Sequence, residues 1–90
     1  MIYKDRYMDS LLNKIIGEEI KKARESKNWS LEELASKLKT KISRQTLSTY
    51  ETGRSKIKIS TFLEICEVLS IEPSELFDEI NMKYFKNAKL

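Results

Sequence analysis

The chain has 90 residues, with 17 Lys+Arg against 14 Asp+Glu, no histidine and one cysteine. That length holds one small domain, and with no histidine and one cysteine it offers no His–Cys zinc cluster, Ser-His-Asp triad, Cys-His nucleophile pair or internal disulfide. Apolar residues at 40% and charged residues at 34%, with only two glycines and one proline, point to an all-α domain rather than a disordered chain or a turn-rich β fold.

Met8, Leu11, Leu12, Ile15, Ile16, Ile20 and Ala23 recur at three- and four-residue spacing and predict one apolar stripe on a first helix. Asp9 or Ser10 would cap its start, and Gly17 would weaken it by about 1 kcal/mol and invite a break. Residues 1–15, which include the start of this stripe, read as an N-terminal extension of helical type, apolar also at Ile2, Tyr3 and Tyr7. Ser30-Leu31-Glu32-Glu33 spells a capping box for a second helix ending near Leu38, with Trp29 placed to staple onto Leu34.

Ser43 is placed to cap a third helix. Leu47, Tyr50 and Glu51 share its inward side, while Arg44, Gln45, Ser48, Thr49 and Thr52 point outward. An outward face of Arg, Gln, Ser and Thr without an acid is unusual for a helix that needs only solubility. Gly53 suits the residue after the cap, and the basic loop Arg54-Ser55-Lys56-Ile57-Lys58 follows. Ser60 or Lys58 opens a fourth helix with Phe62, Leu63, Ile65, Cys66 and Leu69 apolar. Pro73 suits the first position of a fifth helix holding Leu76, Phe77 and Ile80. Residues 79–90, with Tyr84 and Phe85 among lysines, extend it or form a tail. The carboxylates of the first and fourth helices read as solvated faces.

The net charge of +3 is unevenly spread. Residues 1–29 carry seven basic and five acidic side chains, residues 30–60 seven and three, and residues 61–90 three and six. From Lys37 to Lys58, seven cations stand against Glu51 alone. That local excess suits a polyanion such as duplex DNA.

Ile16-Gly17, Ile20 and Arg24, Ser30-Leu31-Glu32-Glu33-Leu34-Ala35, the run from Ile42 to Gly53 (Ile-Ser-Arg-Gln-Thr-Leu-Ser-Thr-Tyr-Glu-Thr-Gly), and Leu63, Leu69-Ser70-Ile71 follow one another in a familiar order. Over residues 16–77 the chain resembles the Xre/Cro-type helix-turn-helix domain of phage repressors and many bacterial regulators. The resemblance implies a compact bundle of five helices, with residues 16–78 as the DNA-binding domain and the third helix in the major groove. It implies that Arg44, Gln45 and Thr49 face base edges, that Ser43 and Thr46 lie near phosphates, and that Arg54 and Lys56 meet the backbone. Ser48 completes the outward polar face. Arg24 and Glu51 fall where the family forms a structural ion pair. The residue types agree with this, since Arg reads guanine and Gln adenine through two hydrogen bonds each. Backbone N–H groups near Leu31 would also suit a phosphate.

Three residues or stretches depart from the family pattern. The turn Lys39-Thr40-Lys41-Ile42 is two residues longer than usual, Leu31 stands where many members carry Gln, and Ile57 stands where Pro often ends the basic loop. The expected function is a sequence-specific, double-stranded-DNA-binding transcriptional regulator, a repressor or autoregulator acting as a homodimer on an inverted repeat. The N-terminal extension together with Tyr84-Phe85 would supply the dimer surface. An antitoxin that neutralises a partner protein and represses its own operon, a restriction-modification control protein, and a protein-interaction module on the same fold are the competing readings. No enzyme, metal site or cofactor is expected. Without an apolar stretch of about 18 residues or a signal-type start, the chain reads as cytoplasmic, with no membrane partner.

Overall fold

The computed structural model describes residues 6–88, with side chains from residues 9–85. Ile2 and Tyr3 lie outside these residues, and so do the side chains of Tyr7 and Met8. Five helices follow one another: α1 (Arg6–Ser26), α2 (Leu31–Lys37), α3 (Arg44–Glu51), α4 (Ile59–Val68) and α5 (Pro73–Ala88). The fold is the all-α bundle of five helices that the resemblance implies. Ile15, Ile20, Leu34, Leu38, Leu47, Phe62, Ile65, Cys66, Leu69, Leu76 and Ile80 form one buried core. Each helix contributes to it, as expected where helical stability comes from tertiary packing. Among the described residues, no helix is long and apolar enough to cross a membrane.

Helix α1 runs unbroken through Gly17, against the expected interruption. Asp9 and Ser10 lie inside it rather than ahead of it. Gly17 is there for contact: a Cβ at this position would stand 2.3 Å from the Tyr50 carbonyl oxygen and 2.5 Å from that of Glu51. The chain's other glycine serves the same seam. Gly53 takes φ 77° after the α3 cap, and a Cβ there would stand 2.7 Å from Lys14 Cα. Both glycines therefore let the backbones of α1 and α3 approach closely.

Three helices end alike. In α1, α3 and α4 the residue after the cap is left-handed: Asn28 (φ 61°), Gly53 (φ 77°) and Ser70 (φ 58°). Behind each, paired amides return to the last turn: Asn28 N–H to Glu25 and Trp29 N–H to Arg24, Gly53 N–H to Tyr50 and Arg54 N–H to Thr49, Ser70 N–H to Glu67 and Ile71 N–H to Cys66. This is the Schellman closure, which prefers glycine at the left-handed position. Ser70→Gly is thus expected to stabilise the fold by about 0.5–1 kcal/mol, read as a higher urea midpoint. An unchanged midpoint would mean that the serine bears no strain.

Two apolar residues of the fourth and fifth helices lie outside the core. Leu63 is 44% and Phe77 45% exposed, so neither belongs to the core. The pattern placed them one step off the inward stripe, although the Phe77 ring still lies 5.3 Å from Phe62. Leu31 and Ile57, two of the three departures from the family pattern, are half-buried against the core.

Candidate nucleic-acid interface

Helix α3 begins where its cap dictates. The Ser43 hydroxyl accepts from the Thr46 backbone N–H at 3.1 Å and donates to the Thr46 hydroxyl at 3.1 Å. Leu47 and Glu51 are buried, and Tyr50 is half-buried against the core. The opposite side presents Arg44, Gln45 and Thr46 exposed, with Ser48 and Thr49 half-buried behind them. Arg44 and Gln45 thus stand side by side on an open first turn. Thr49 is more engaged: its hydroxyl donates to the Thr46 carbonyl at 2.6 Å and lies 2.9 Å from the Ser55 hydroxyl. That contact links the helix to the basic loop, a link that only the fold reveals.

All seven cations between Lys37 and Lys58 are exposed, and the one acid among them, Glu51, is buried. Arg24 Nε donates to Glu51 Oε2 at 2.7 Å and Nη2 to Oε1 at 3.0 Å, while Nη1 donates to the Trp29 carbonyl at 2.6 Å. Glu51 holds the Arg24 guanidinium protonated even more firmly than usual, and burial opposes this without prevailing. The segment's only negative charge is therefore spent inside the molecule, and its surface is more positive than its composition. Lys56 lies 3.6 Å from Asp9 of α1, with both side chains largely exposed. Such a pair is screened and weak, so Lys56 can exchange Asp9 for a phosphate at little cost.

The start of α2 offers less to an anion than expected. Ser30 accepts from the Glu33 N–H at 3.0 Å, and the Glu33 carboxylate accepts from the Ser30 N–H at 2.7 Å. With Glu32 and Glu33 in the first turn, the helix end carries its own negative charge. Trp29 lies between two lysines, with Lys37 Nζ 4.7 Å and Lys27 Nζ 5.5 Å from its ring centroid.

Two carboxylates read as solvated are bound instead. Glu19 is 5% exposed and pairs with Lys83 and Lys22, tying α1 to α5. Glu64 of α4 reaches the turn between α2 and α3. There it accepts from the Lys39 backbone N–H, and from the Thr40 N–H at 3.2 Å on Oε2 and 3.4 Å on Oε1. Donation from the Thr40 side chain holds the Glu64 carboxyl below the usual carboxylate range. Partial burial works against this, while the two amides and the Lys39 charge add to it. Neither the Glu19–Lys83 pair nor the Glu64 bonds to the turn were legible from helical periodicity, because those partners lie on other elements. Of the expected dimer aromatics, Phe85 is 63% exposed, whereas Tyr84 is half-buried against the core.

A polar, acid-free helix face set in an exposed basic surface, carried by α2 and α3 across a turn, is an arrangement for lying against phosphates and reading base edges. A family model described as helix-turn-helix matches residues 20–76. No curated protein and no solved structure matches the chain.

Proposed function

Since the chain belongs to the Xre/Cro-like helix-turn-helix family of DNA-binding transcription regulators, we propose that it represses transcription, its own included, by binding an inverted-repeat operator as a homodimer. The observation that carries the sequence-reading part is the α3 face: Arg44 and Gln45 exposed on the first turn, with no acid beside them on the outward side. In this reading Arg44 takes guanine O6 and N7, Gln45 takes adenine N6 and N7, and Ser48 and Thr49 meet neighbouring base edges. Ser43 and Thr46 lie by the phosphates at the groove edge, and Arg54 and Lys56 neutralise the backbone from the loop. Dimerisation would set two α3 helices about 34 Å apart, one DNA turn. The exposed Phe85, with the N-terminal residues, is the proposed contact. The protein works in the cytoplasm in this reading.

The test is selection of bound duplexes from a random library, followed by titration of variants. Arg44→Ala or Gln45→Ala is expected to cost about 1–3 kcal/mol on the selected duplex and to relax one base-pair preference. Arg54→Ala is expected to weaken all duplexes alike and to flatten the salt dependence by about one phosphate's worth. An unselective library would remove the sequence-specific reading. A chain that ignores salt and DNA but captures a basic protein through its acidic C-terminal third would favour the interaction-module alternative.

A further inference from the structure

The turn from α2 into α3 is two residues longer than the family pattern, and its first three residues are not packed on the core. Lys39, Thr40 and Lys41 are exposed. Beside the turn lies an open cleft of about 610 Å3, lined by Ser36, Leu38, Lys41, Ile42 and Arg44 among others. Ile42 packs against the core at the α3 end of the turn, but the three exposed residues before it have no packing to fix their path. What reaches across to it is Glu64, whose carboxylate takes the amides of both Lys39 and Thr40. Its helix is a firm base, because Phe62, Ile65 and Cys66 beside it are buried. Thr40 lies three residues before the Ser43 cap and four before Arg44. The far end of α3 is fixed separately, by Gly17, Gly53 and the Arg24–Glu51 pair.

We propose that Glu64 is a positioning residue for base readout: by fastening the lengthened turn it sets where Arg44 enters the groove. This rests on the reading of Arg44 as a base-contacting residue. Glu64 touches no DNA in this scheme and acts through the turn. The sign of its effect separates this role from simple electrostatics. Glu64 is an anion beside Lys39, so by charge alone its removal tightens binding to any duplex. By positioning, its removal weakens the selected duplex and spares the rest.

The experiment uses the full chain, the duplex selected from a random library and a scrambled duplex of equal length. Glu64→Ala is expected to weaken the selected duplex about tenfold or more, the low end of what a misplaced bidentate contact loses. The scrambled duplex is expected to bind as before or slightly tighter. Glu64→Gln keeps a carbonyl acceptor and is expected to lose about threefold, the share of a weakened charge-assisted hydrogen bond. In an Arg44→Ala background, Glu64→Ala is expected to change selected-duplex binding by less than about twofold, since coupled residues are non-additive. Amide exchange of Lys39 and Thr40 in the wild-type chain supplies a readout that needs no variant to fold. Both are expected to be slower than Lys41.

Tighter binding of Glu64→Ala to both duplexes, unchanged preference, or full loss persisting in the Arg44→Ala background overturns the positioning role. So does free exchange of Lys39 and Thr40 in the wild type. A wild-type chain that prefers no duplex overturns the base-reading function itself, a result distinct from preference that survives without Glu64.

Discussion

Glu51→Ala is expected to cost about 3–5 kcal/mol of folding stability, much of what a domain this size has to lose. The Arg24 guanidinium, 8% exposed, would keep its bond to the Trp29 carbonyl and lose both carboxylate oxygens. It cannot escape by deprotonating, because an arginine stays charged at any ordinary pH. The choice left is a buried unpaired cation or an α1 that pulls away from α3. Urea denaturation at neutral pH measures the loss. Replacing both partners by apolar residues of similar size is expected to recover part of it, since most of the cost lies in the orphaned charge. A loss below about 1 kcal/mol for Glu51→Ala would mean that water reaches the guanidinium and that the pair does not hold the seam.

Gly17→Ala reverses the sign that helix propensity gives. In an open helix the change gains about 1 kcal/mol. Here the new methyl would meet two backbone carbonyl oxygens, 2.3 and 2.5 Å away, on Tyr50 and Glu51. A side chain could rotate aside, but a helix backbone cannot. α1 and α3 must separate, and the Arg24–Glu51 pair stretches with them. We expect a net loss of about 2–3 kcal/mol, at the upper end of ordinary overpacking. For a domain of this length that is roughly 10–20 °C in Tm. A melt that stays level or rises would show that the seam yields. Any variant that survives should also bind DNA less selectively, because the far end of α3 has moved.

Gly17 also shows where sequence reasoning stops. Read locally, a glycine in an apolar stripe is a weak point, and a break was the natural expectation. The helix is continuous because the residue's value lies in what it lets approach, and that neighbour is more than thirty positions away. The same holds for Glu19 and Glu64. On their own helices they look solvated, and their partners Lys83, Lys39 and Thr40 lie on other elements. What a single helix or turn encodes was legible: the Ser30–Glu33 capping box, the Ser43 cap, Pro73 opening α5, and the inward row of Leu47, Tyr50 and Glu51. The helix-turn-helix order was legible because those local signals come in one sequence. The exposure of Leu63 and Phe77 was not legible, because apolarity alone does not fix which edge of a stripe reaches the core.

The close seam between α1 and α3 bears on how such a protein acquires new targets. Along α3 the residues that meet the body of the domain, Leu47, Tyr50 and Glu51, alternate with those that face out, Arg44, Gln45 and Ser48. The helical period keeps the two sets apart. Substitutions at 44, 45 and 48 leave the glycine contacts and the buried ion pair untouched, so their stability costs should be small and nearly additive. The outward letters of this helix can therefore be exchanged like type in a locked frame, with the foldedness of the domain left as it was.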